Sequence, residues 1–270
     1  MSGARRAFPG RSWLCAAALV LCLCAGLWAG AASARTLEAI RASGAIKLCA
    51  HPNSLPYASK AGDPAGFQVE LGRALAARLG VALDTEWIVT PVQIARADCD
   101  IVLDTIADPE AQSETHLALS NSYYGSGVAI VVRQGSPITG FGALNGRTKV
   151  GVMVGSVAAM MLEQRGVSIS MFGFEDDMLA ALAAGEIDAA AATPMAAGWF
   201  QKTHAAQAPI AILPTGEKAL TWNVAVGMRR PDGDLRDAIN AALEKLNEDG
   251  TTEAIYARYG IALQAPRPMP

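Results

Sequence analysis

Strand-like and helix-like patterns alternate along most of this 270-residue sequence, and this alternation limits the folds that it can form. Short apolar runs such as Ile101-Val102-Leu103 predict strands that are buried on both faces. Amphipathic helical patterns such as Gly66–Leu79 lie between these runs. Strands separated by helices imply parallel sheets with helices on both faces, so we predict an α/β fold.

The alternation defines a full set of expected elements. The predicted strands are Ala45–His51, Val81–Ile88, Cys99–Asp104, Val128–Arg133, Lys149–Val154, Val167–Phe172, Ile187–Ala192, Ile210–Leu213 and Thr221–Met228. The predicted helices are Gly66–Leu79, Pro91–Asp98, Ser156–Arg165, Glu175–Ala184, Met195–His204, Asp234–Glu248 and Thr251–Tyr259. Breaks near Arg133 and Leu220 divide the chain into three parts, and the proline-rich tail Ala265–Pro270 is predicted to be disordered.

Residues 1–34 have the pattern of a cleaved signal peptide. Arginines at positions 5, 6 and 11 precede an uncharged apolar stretch from Trp13 to Trp28, and Ala32-Ser33-Ala34 follows as a small-x-small cleavage site. The alternative is a membrane anchor, but a spanning helix needs about 20 apolar residues. We therefore predict cleavage near Ala34, a periplasmic location and no membrane insertion of the mature chain.

The charge balance argues against two classes of partner. The sequence has 22 Lys and Arg residues against 25 Asp and Glu residues, a formal net charge of −3. Nucleic acids and anionic membrane surfaces are bound through clustered positive charge. We therefore expect neither of them as a partner.

Two cysteines, Cys49 and Cys99, lie outside the predicted signal peptide. An even number of cysteines in an oxidising compartment favours one disulfide. Two buried free thiols are the alternative, because the sequence does not supply the Cα separation that a bridge requires.

Several motifs, in this order along the chain, resemble the bacterial extracellular solute-binding proteins of family 3. They are the loop His51–Tyr57 with Gly66-Phe67-Gln68-Val69-Glu70-Leu71, the strand Cys99–Asp104, the segment Leu119–Tyr124, the turn Lys149–Ser156 and the closing helices Leu235–Gly260. The resemblance covers about residues 44–262. It implies a type II periplasmic-binding-protein-like fold with two α/β lobes, joined by two hinge strands, that close on a ligand. Lobe 1 would comprise residues 35–131 and 222–270, and lobe 2 residues 132–221.

The segment Leu48–Tyr57 is also similar to a narrower branch of that family, which is encoded beside periplasmic quinoprotein methanol and alcohol dehydrogenases. The branch signature reads Val-Cys-Ala-Asp-Pro-Asn-Asn-Leu-Pro-Phe, and this chain has Leu-Cys-Ala-His-Pro-Asn-Ser-Leu-Pro-Tyr. Cys99-Asp100 and Ala197–Phe200 also resemble the branch. The similarity implies a dehydrogenase system as a possible partner, and chance similarity within a broad family is the alternative.

Ligands of open α/β sheets bind beyond the carboxyl ends of the strands, and this rule selects candidate residues in both predicted lobes. The predicted ligand-binding residues are His51, Asn53, Tyr57, Asp104, Thr105, Asp108, Gly155, Ser156, Thr193 and Trp222. Structural roles are the alternatives for several of them. Ser156 is then a helix cap, Asp108 caps a helix opened by Pro109, and His51 is a satisfied loop residue.

Two charged groups that the family uses to hold an α-amino acid have no counterpart here. The family's arginine follows the strand that Cys99–Asp104 resembles, but no Lys or Arg occurs between Arg96 and Arg133. Ala191-Ala192-Thr193-Pro194 occupies the place of the acid in lobe 2 that accepts the ligand ammonium. A standard α-amino acid is therefore disfavoured. Asp104, Asp108 and His51 would suit a polyol or a cation, with a metal ion as the alternative.

The sequence thus predicts a monomeric periplasmic solute-binding protein of the ABC-transporter type, with a small-molecule ligand, an ABC permease as partner, no cofactor and no catalytic activity. An accessory protein of a quinoprotein dehydrogenase is the first alternative. A dehydratase-like enzyme on the same fold is the second, and it would need a cation such as Arg133 in the cleft. The sequence contains no nucleophile elbow, His-Glu-x-x-His motif or phosphate loop.

Overall fold

The structure is a computed structural model that describes residues 36–113, 115–206, 208–229 and 231–268. The predicted signal peptide, residues 1–34, lies outside the described residues, as do the last two residues of the tail. Among the described residues, no helix combines the length and the apolar character that crossing a membrane requires.

The described residues form thirteen strands and seven α-helices. The strands are β1 (Ala45–Ala50), β2 (Asn53–Ser54), β3 (Ala58–Ser59), β4 (Ala82–Trp87), β5 (Ile101–Ile106), β6 (Ala118–Leu119), β7 (Tyr124–Gly127), β8 (Ala129–Arg133), β9 (Lys149–Met153), β10 (Ser168–Phe172), β11 (Ala189–Ala192), β12 (Ile210–Pro214) and β13 (Thr221–Met228). The helices are α1 (Leu37–Ser43), α2 (Phe67–Leu79), α3 (Val157–Gln164), α4 (Glu175–Ala184), α5 (Pro194–His204), α6 (Gly233–Glu248) and α7 (Thr251–Arg258). Short 3₁₀ helices span Pro91–Ala95, Phe141–Ala143 and Lys218–Leu220.

The first lobe is built on a six-stranded sheet with the order β4-β1-β5-β13-β6, in which β7 also pairs with β13. Strand β1 runs parallel to β4 and β5, whereas β13 runs antiparallel to β5. Helices α2, α6 and α7 pack on this lobe, and its core includes Leu48, Phe67, Leu75, Ile101 and Val226. These side chains come from the alternating apolar runs that predicted the α/β fold.

The second lobe is built on a five-stranded sheet with the order β10-β9-β11-β8-β12. Strand β11 consists of four alanines that are all buried, because helices cover both faces of the sheet. Ala189 and Ala191 face a cluster that contains Leu162 of α3, whereas Ala190 and Ala192 face a cluster that contains Leu179 of α4. The two-lobe α/β fold predicted from the sequence is confirmed.

The chain passes from one sheet to the other at two neighbouring points. Strand β7 ends at Gly127 in the first sheet and β8 begins at Ala129 in the second, while the return passes from Leu220 into β13. The two connections are hydrogen-bonded to each other, since the Val128 N–H donates to the Leu220 carbonyl at 2.8 Å. Residues 129–131, at the start of β8, pair with β11 and β12 of the second sheet. The predicted lobe boundaries, which assign these residues to lobe 1, stay a proposal.

The carboxy-terminal tail lies against the hinge strands as far as Arg267. The Gly125 N–H donates to the Gln264 carbonyl at 2.8 Å. The Asn223 side-chain amide donates to the Arg267 carbonyl at 2.8 Å and accepts from the Arg267 N–H at 2.9 Å. The sequence predicts a disordered tail from Ala265 onward. The two hydrogen bonds between the Asn223 side chain and the Arg267 backbone instead hold the tail against β13 as far as Arg267.

Cys49 and Cys99 form the disulfide that the sequence favoured over two free thiols. Their Cα atoms lie 5.4 Å apart, and both residues are buried. The bridge joins the end of β1 to the segment that leads into β5, so it ties together two strands whose carboxyl ends face the second lobe.

Candidate ligand site between the lobes

Tyr57 is held by the first turn of α2. Gly66 has φ = 91°, and a Cβ atom at this position would lie only 2.4 Å from the Tyr57 carbonyl oxygen. The N–H groups of Phe67 and Gln68, at the open end of the helix, donate to the carbonyls of Pro56 and Tyr57 at 2.9 Å each. The Tyr57 and Phe67 ring centroids are 5.1 Å apart. Glycine at position 66 therefore allows a close approach that fixes Tyr57 in place.

The Tyr57 hydroxyl forms a hydrogen bond across the cleft. Its oxygen lies 3.2 Å from Thr193 Oγ1, at the start of α5 in the second lobe. Thr193 donates its hydroxyl proton to Glu175 Oε2 at 2.9 Å and its backbone N–H to Glu175 Oε1 at 2.5 Å. Because the Thr193 hydroxyl has a single proton, Tyr57 is the donor in the interlobe bond. A chain of three side chains thus joins the two lobes.

A cavity of about 180 Å³ lies at this point, and residues of both lobes line it. The lining residues are Asn53, Ser54, Leu55, Tyr57, Met153, Phe174, Glu175, Asp176 and Ala196. Two of these residues are carboxylic acids, and no Lys or Arg of the described part of the chain is among them.

Burial controls the ionisation of Glu175 and Tyr57. Burial raises the pKa of Glu175, and its hydrogen bonds from Thr193 act in the opposite direction. The pKa of Tyr57 is raised well above its usual value, first by burial and then by the negative charge of Glu175. Tyr57 therefore acts as a neutral hydrogen-bond donor at neutral pH.

Asp104 lies within β5 in a left-handed backbone conformation, with φ = 53°. Its Oδ1 accepts hydrogen bonds from the hydroxyls of Tyr123 and Tyr256 at 3.0 Å each. Its Oδ2 is buried and has no hydrogen bond of normal geometry, although the nearby Gln68 side chain favours the ionised form. Burial raises the pKa of this carboxyl. The charge of Asp104 also contributes to the raised pKa of Tyr57, after burial and the charge of Glu175.

Helix α5 of the second lobe packs directly on the first lobe. Met195 is buried in the core cluster of the first lobe, and its sulfur accepts hydrogen bonds of 3.5 Å from Tyr124 and Ser126 of β7. One turn further along, the Trp199 ring centroid lies 5.6 Å from that of Tyr259. The Lys202 ammonium then donates to the Arg258 carbonyl at 2.5 Å. The lobes are therefore in contact along one side of the cleft.

The other predicted ligand-binding residues take different positions. Asn53 lines the cavity, whereas His51 lies beside it and its Nδ1 accepts from the Asn53 N–H at 3.1 Å. Thr105 donates to the Val102 carbonyl within its own strand, and Trp222 packs against the core of the first lobe. Neither of these two lines the cavity.

Asp108, Gly155 and Ser156 have local structural roles. Asp108 accepts from the Glu110 N–H at 2.8 Å in a turn, rather than capping a helix opened by Pro109, which was the alternative to a ligand-binding role. Gly155 has φ = 70°, and Ser156 caps α3 by accepting from the Ala159 N–H at 3.2 Å. These three residues do not line the cavity in this structure. Their contact with a ligand stays a prediction.

Sequence reasoning did not select Glu175 and Asp176 as site residues. Acids in the first turn of a helix are explained by the helix dipole, and both residues lie in the first turn of α4. The position of Glu175 shortly after β10, at the carboxyl edge of the second sheet, was a signal that could have found it.

The described residues contain no group of three or more His, Cys, Asp or Glu side chains placed to hold a metal ion. A larger cavity of about 840 Å³, here called the outer cavity, is lined in part by Glu70, Arg73 and Arg258 of the first lobe and by Lys202 of the second. There Arg258 pairs with Glu70, which also accepts from the Tyr259 hydroxyl at 2.5 Å. Its lining residues belong to helices α2, α5 and α7 and to the loops beside them, not to segments that follow the strands of the two large sheets, so we place the candidate site at the cavity bordered by Tyr57 and Glu175.

Comparisons with known proteins agree with this architecture. The family model for bacterial extracellular solute-binding proteins, family 3, matches residues 46–262. The lysine/arginine/ornithine-binding periplasmic protein of Escherichia coli (strain K12) is 27% identical over 256 residues, which cover 89% of this chain and 95% of that protein.

Two solved structures show the same fold. The ancestral cationic amino acid solute-binding protein AncCDT-1 superposes with a TM-score of 0.72 at 20% identity, covering 83% of this chain and 99% of that one. MxaJ from Methlophaga aminisulfidivorans MPT gives a TM-score of 0.67 at 20% identity, covering 81% of this chain and all of that chain (100%).

Proposed function

Because the chain belongs to family 3 of the bacterial extracellular solute-binding proteins, we propose that it captures a small ligand between its two lobes and delivers it to an ABC permease. The observation that carries this proposal is the cavity bordered by Asn53 and Tyr57 of one lobe and by Glu175 of the other. A ligand in that cavity contacts both lobes and so favours the closed form over an open one.

The ligand is small and is not a standard α-amino acid. The cavity of about 180 Å³ is below the range of about 300–1,000 Å³ typical of ligand pockets. An α-carboxylate would enter beside Glu175 and Asp176 without a Lys or Arg among the described lining residues to bind it. A polyol or a cation meets no such repulsion, and Tyr57, Asn53 and the carboxylates offer it hydrogen bonds.

The proposed location is the periplasm, after cleavage near Ala34. The signal pattern in residues 1–34 supports it, and so does the similarity to a periplasmic binding protein of Escherichia coli. The disulfide between Cys49 and Cys99 is stable in an oxidising compartment.

A thermal-shift screen of the mature protein tests the proposal. Amino acids, polyols, short organic acids, amines and metal ions are added singly, because a ligand that binds only the folded protein raises its melting temperature. At 100 times its Kd, a ligand adds about 2.7 kcal/mol to the free energy of unfolding. We expect a shift with a non-amino-acid compound. A screen without any shift contradicts small-ligand binding.

A second candidate is an accessory protein that docks on a periplasmic quinoprotein dehydrogenase. Two observations favour it: the signature-like segment Leu48–Tyr57, and lobes that touch through α5 and leave only a small cavity. Co-purification of the tagged protein with a quinoprotein dehydrogenase, identified by its mass and cofactor absorbance, supports this candidate. Its absence together with a ligand-induced thermal shift favours the first.

The arrangement of Arg133 gives no support to the dehydratase alternative. Its guanidinium donates to the carbonyls of Leu182 and Ile187 at 2.7 and 2.6 Å. These hydrogen bonds hold the guanidinium near the end of α4. Arg133 is not among the residues that line the cleft cavity. We propose no catalytic activity.

A further inference from the structure

The cleft cavity has an acidic wall. Glu175 and Asp176 both line it. Both acids are in the first turn of α4 in the second lobe. The described lining residues include no Lys or Arg. The site therefore has two carboxylates from one lobe that no Lys or Arg among the described lining residues neutralises.

The remaining wall is apolar and aromatic. Leu55 and Met153 line the cavity, together with the rings of Tyr57 and Phe174. Phe174 is 69% exposed, so most of its surface is open to solvent or to a ligand. Calcium and magnesium take six or more oxygen ligands, and the described residues contain no group of three or more His, Cys, Asp or Glu side chains that could hold a metal ion. Aromatic rings do attract organic cations through their negative faces.

The size of the cavity limits the ligand further. Its volume of about 180 Å³ is small for a ligand pocket, for which about 300–1,000 Å³ is typical. An amino acid with a long cationic side chain would also bring its α-carboxylate to face the acids. A compact amine has a charged head for Glu175 and a hydrocarbon part for Leu55 and Met153.

On these grounds, and resting on the proposed function, we propose that the cleft binds a small alkylammonium cation that has no carboxylate. The ammonium group lies between Glu175 and Asp176, and its alkyl part contacts Tyr57 and Phe174. Removal of a charged group from water is offset only when it is paired, and the cation and the half-buried Glu175 carboxylate pair with each other.

Three probes of one shape separate charge from fit. tert-Butylammonium, tert-butanol and pivalate have the same apolar group with a positive, neutral or negative head. Titration calorimetry at neutral pH is expected to show binding of tert-butylammonium, with the other two weaker by about tenfold or more, because 1.4 kcal/mol changes a binding constant tenfold. Equal or tighter binding of tert-butanol or pivalate overturns the proposal.

Matched variants locate the site. Glu175→Gln keeps an acceptor for Thr193 but removes the charge, and it is expected to weaken binding of the cation by about tenfold or more. Asp176→Asn, which does not touch Thr193, provides a second readout if Glu175→Gln fails to fold, and it is expected to weaken binding several-fold, by roughly threefold or more. Asp177→Asn makes the same charge change one residue outside the lining, so it is expected to weaken binding less than either lining variant. Unchanged binding in both lining variants also overturns the proposal.

The result also separates this inference from the proposed function. If polyols or other neutral compounds raise the melting temperature while tert-butylammonium and its smaller homologues do not, the cation assignment fails and small-ligand capture stands. If no compound of any charge binds, the proposed function fails as well.

Discussion

The backbones of Gly198 and Gly260 touch across the two lobes. A Cβ atom at Gly198 would lie 2.4 Å from the Gly260 carbonyl oxygen, and a Cβ atom at Gly260 would lie 2.5 Å from the Gly198 carbonyl oxygen. Gly198 is in α5 of the second lobe, and Gly260 follows α7 of the first. Two residues without side chains therefore allow the lobes to meet beside the ring contact of Trp199 with Tyr259.

Gly198→Ala is expected to force the lobes apart. The added methyl group would overlap backbone rather than a flexible side chain, and overpacking of this kind costs about 1–3 kcal/mol. We expect a lower melting temperature and, by small-angle X-ray scattering, a larger radius of gyration than in the wild type.

Gly233→Ala is the matched control for that substitution. Gly233 is also in a helix, but a Cβ atom there has nothing within 4 Å. Its stability is expected to rise by up to about 1 kcal/mol with an unchanged radius of gyration. A Gly198→Ala variant that behaves like this control shows that the two backbones are apart in solution.

The hydrogen bond between Tyr57 and Thr193 is expected to couple the lobes energetically. Tyr57→Phe and Thr193→Val each remove it, and Thr193→Val also removes the hydroxyl bond to Glu175 Oε2 and the side-chain cap of α5. A double-mutant cycle of the free energies of unfolding should give a coupling of about 0.5–1.5 kcal/mol, the usual net value for one hydrogen bond. Additive effects of the two changes indicate that the bond across the cleft is absent.

Asp104 is expected to make stability depend on pH. Burial raises its pKa in the folded protein above the ordinary value of 3.8, so the folded state binds the proton more tightly than the unfolded chain. The stabilisation by this proton is complete below that value and is lost as pH rises through the folded pKa. The free energy of unfolding of the wild type should therefore fall relative to Asp104→Asn as pH increases above 3.8. A constant difference between the two denaturation series contradicts the raised pKa.

Removal of the disulfide is expected to lower stability. Cys49 and Cys99 are 50 residues apart in sequence. Closing a loop of that length lowers the entropy of the unfolded chain, which raises its free energy by about 4 kcal/mol. A Cys49→Ala/Cys99→Ala double variant should unfold at correspondingly lower denaturant concentration. Wild-type protein in strong reductant is the comparison, and an unchanged midpoint in both samples argues against the bridge.

Much of the fold could be predicted because apolar periodicity is a local property of the sequence. Helix α4 has the predicted bounds, and α2 begins one residue later than predicted, at Phe67. Strand β7 was missed: two of its four residues are glycines, and its extended form depends on pairing with β13 nearly a hundred residues later. The predicted helix from Pro91 is reduced to a 3₁₀ turn.

The site was less predictable, because its contacts join residues that are far apart in the chain. The rule of carboxyl strand ends selected Tyr57 and Thr193, and these two side chains meet across the cleft. The same rule did not reveal that Glu175 holds Thr193, because an acid in a first helical turn already has a local explanation. The left-handed conformation of Asp104 has no signature in the sequence either.

A crystal structure with the compound that most raises the melting temperature tests the central claim most directly, namely that the lobes close on a ligand without a cationic anchor. The account predicts density for that compound between Tyr57 and Glu175, with carboxylate and hydroxyl contacts and no Lys or Arg side chain touching it. Density in the outer cavity beside Arg73, or a guanidinium bound to a ligand carboxylate in the cleft, would contradict it.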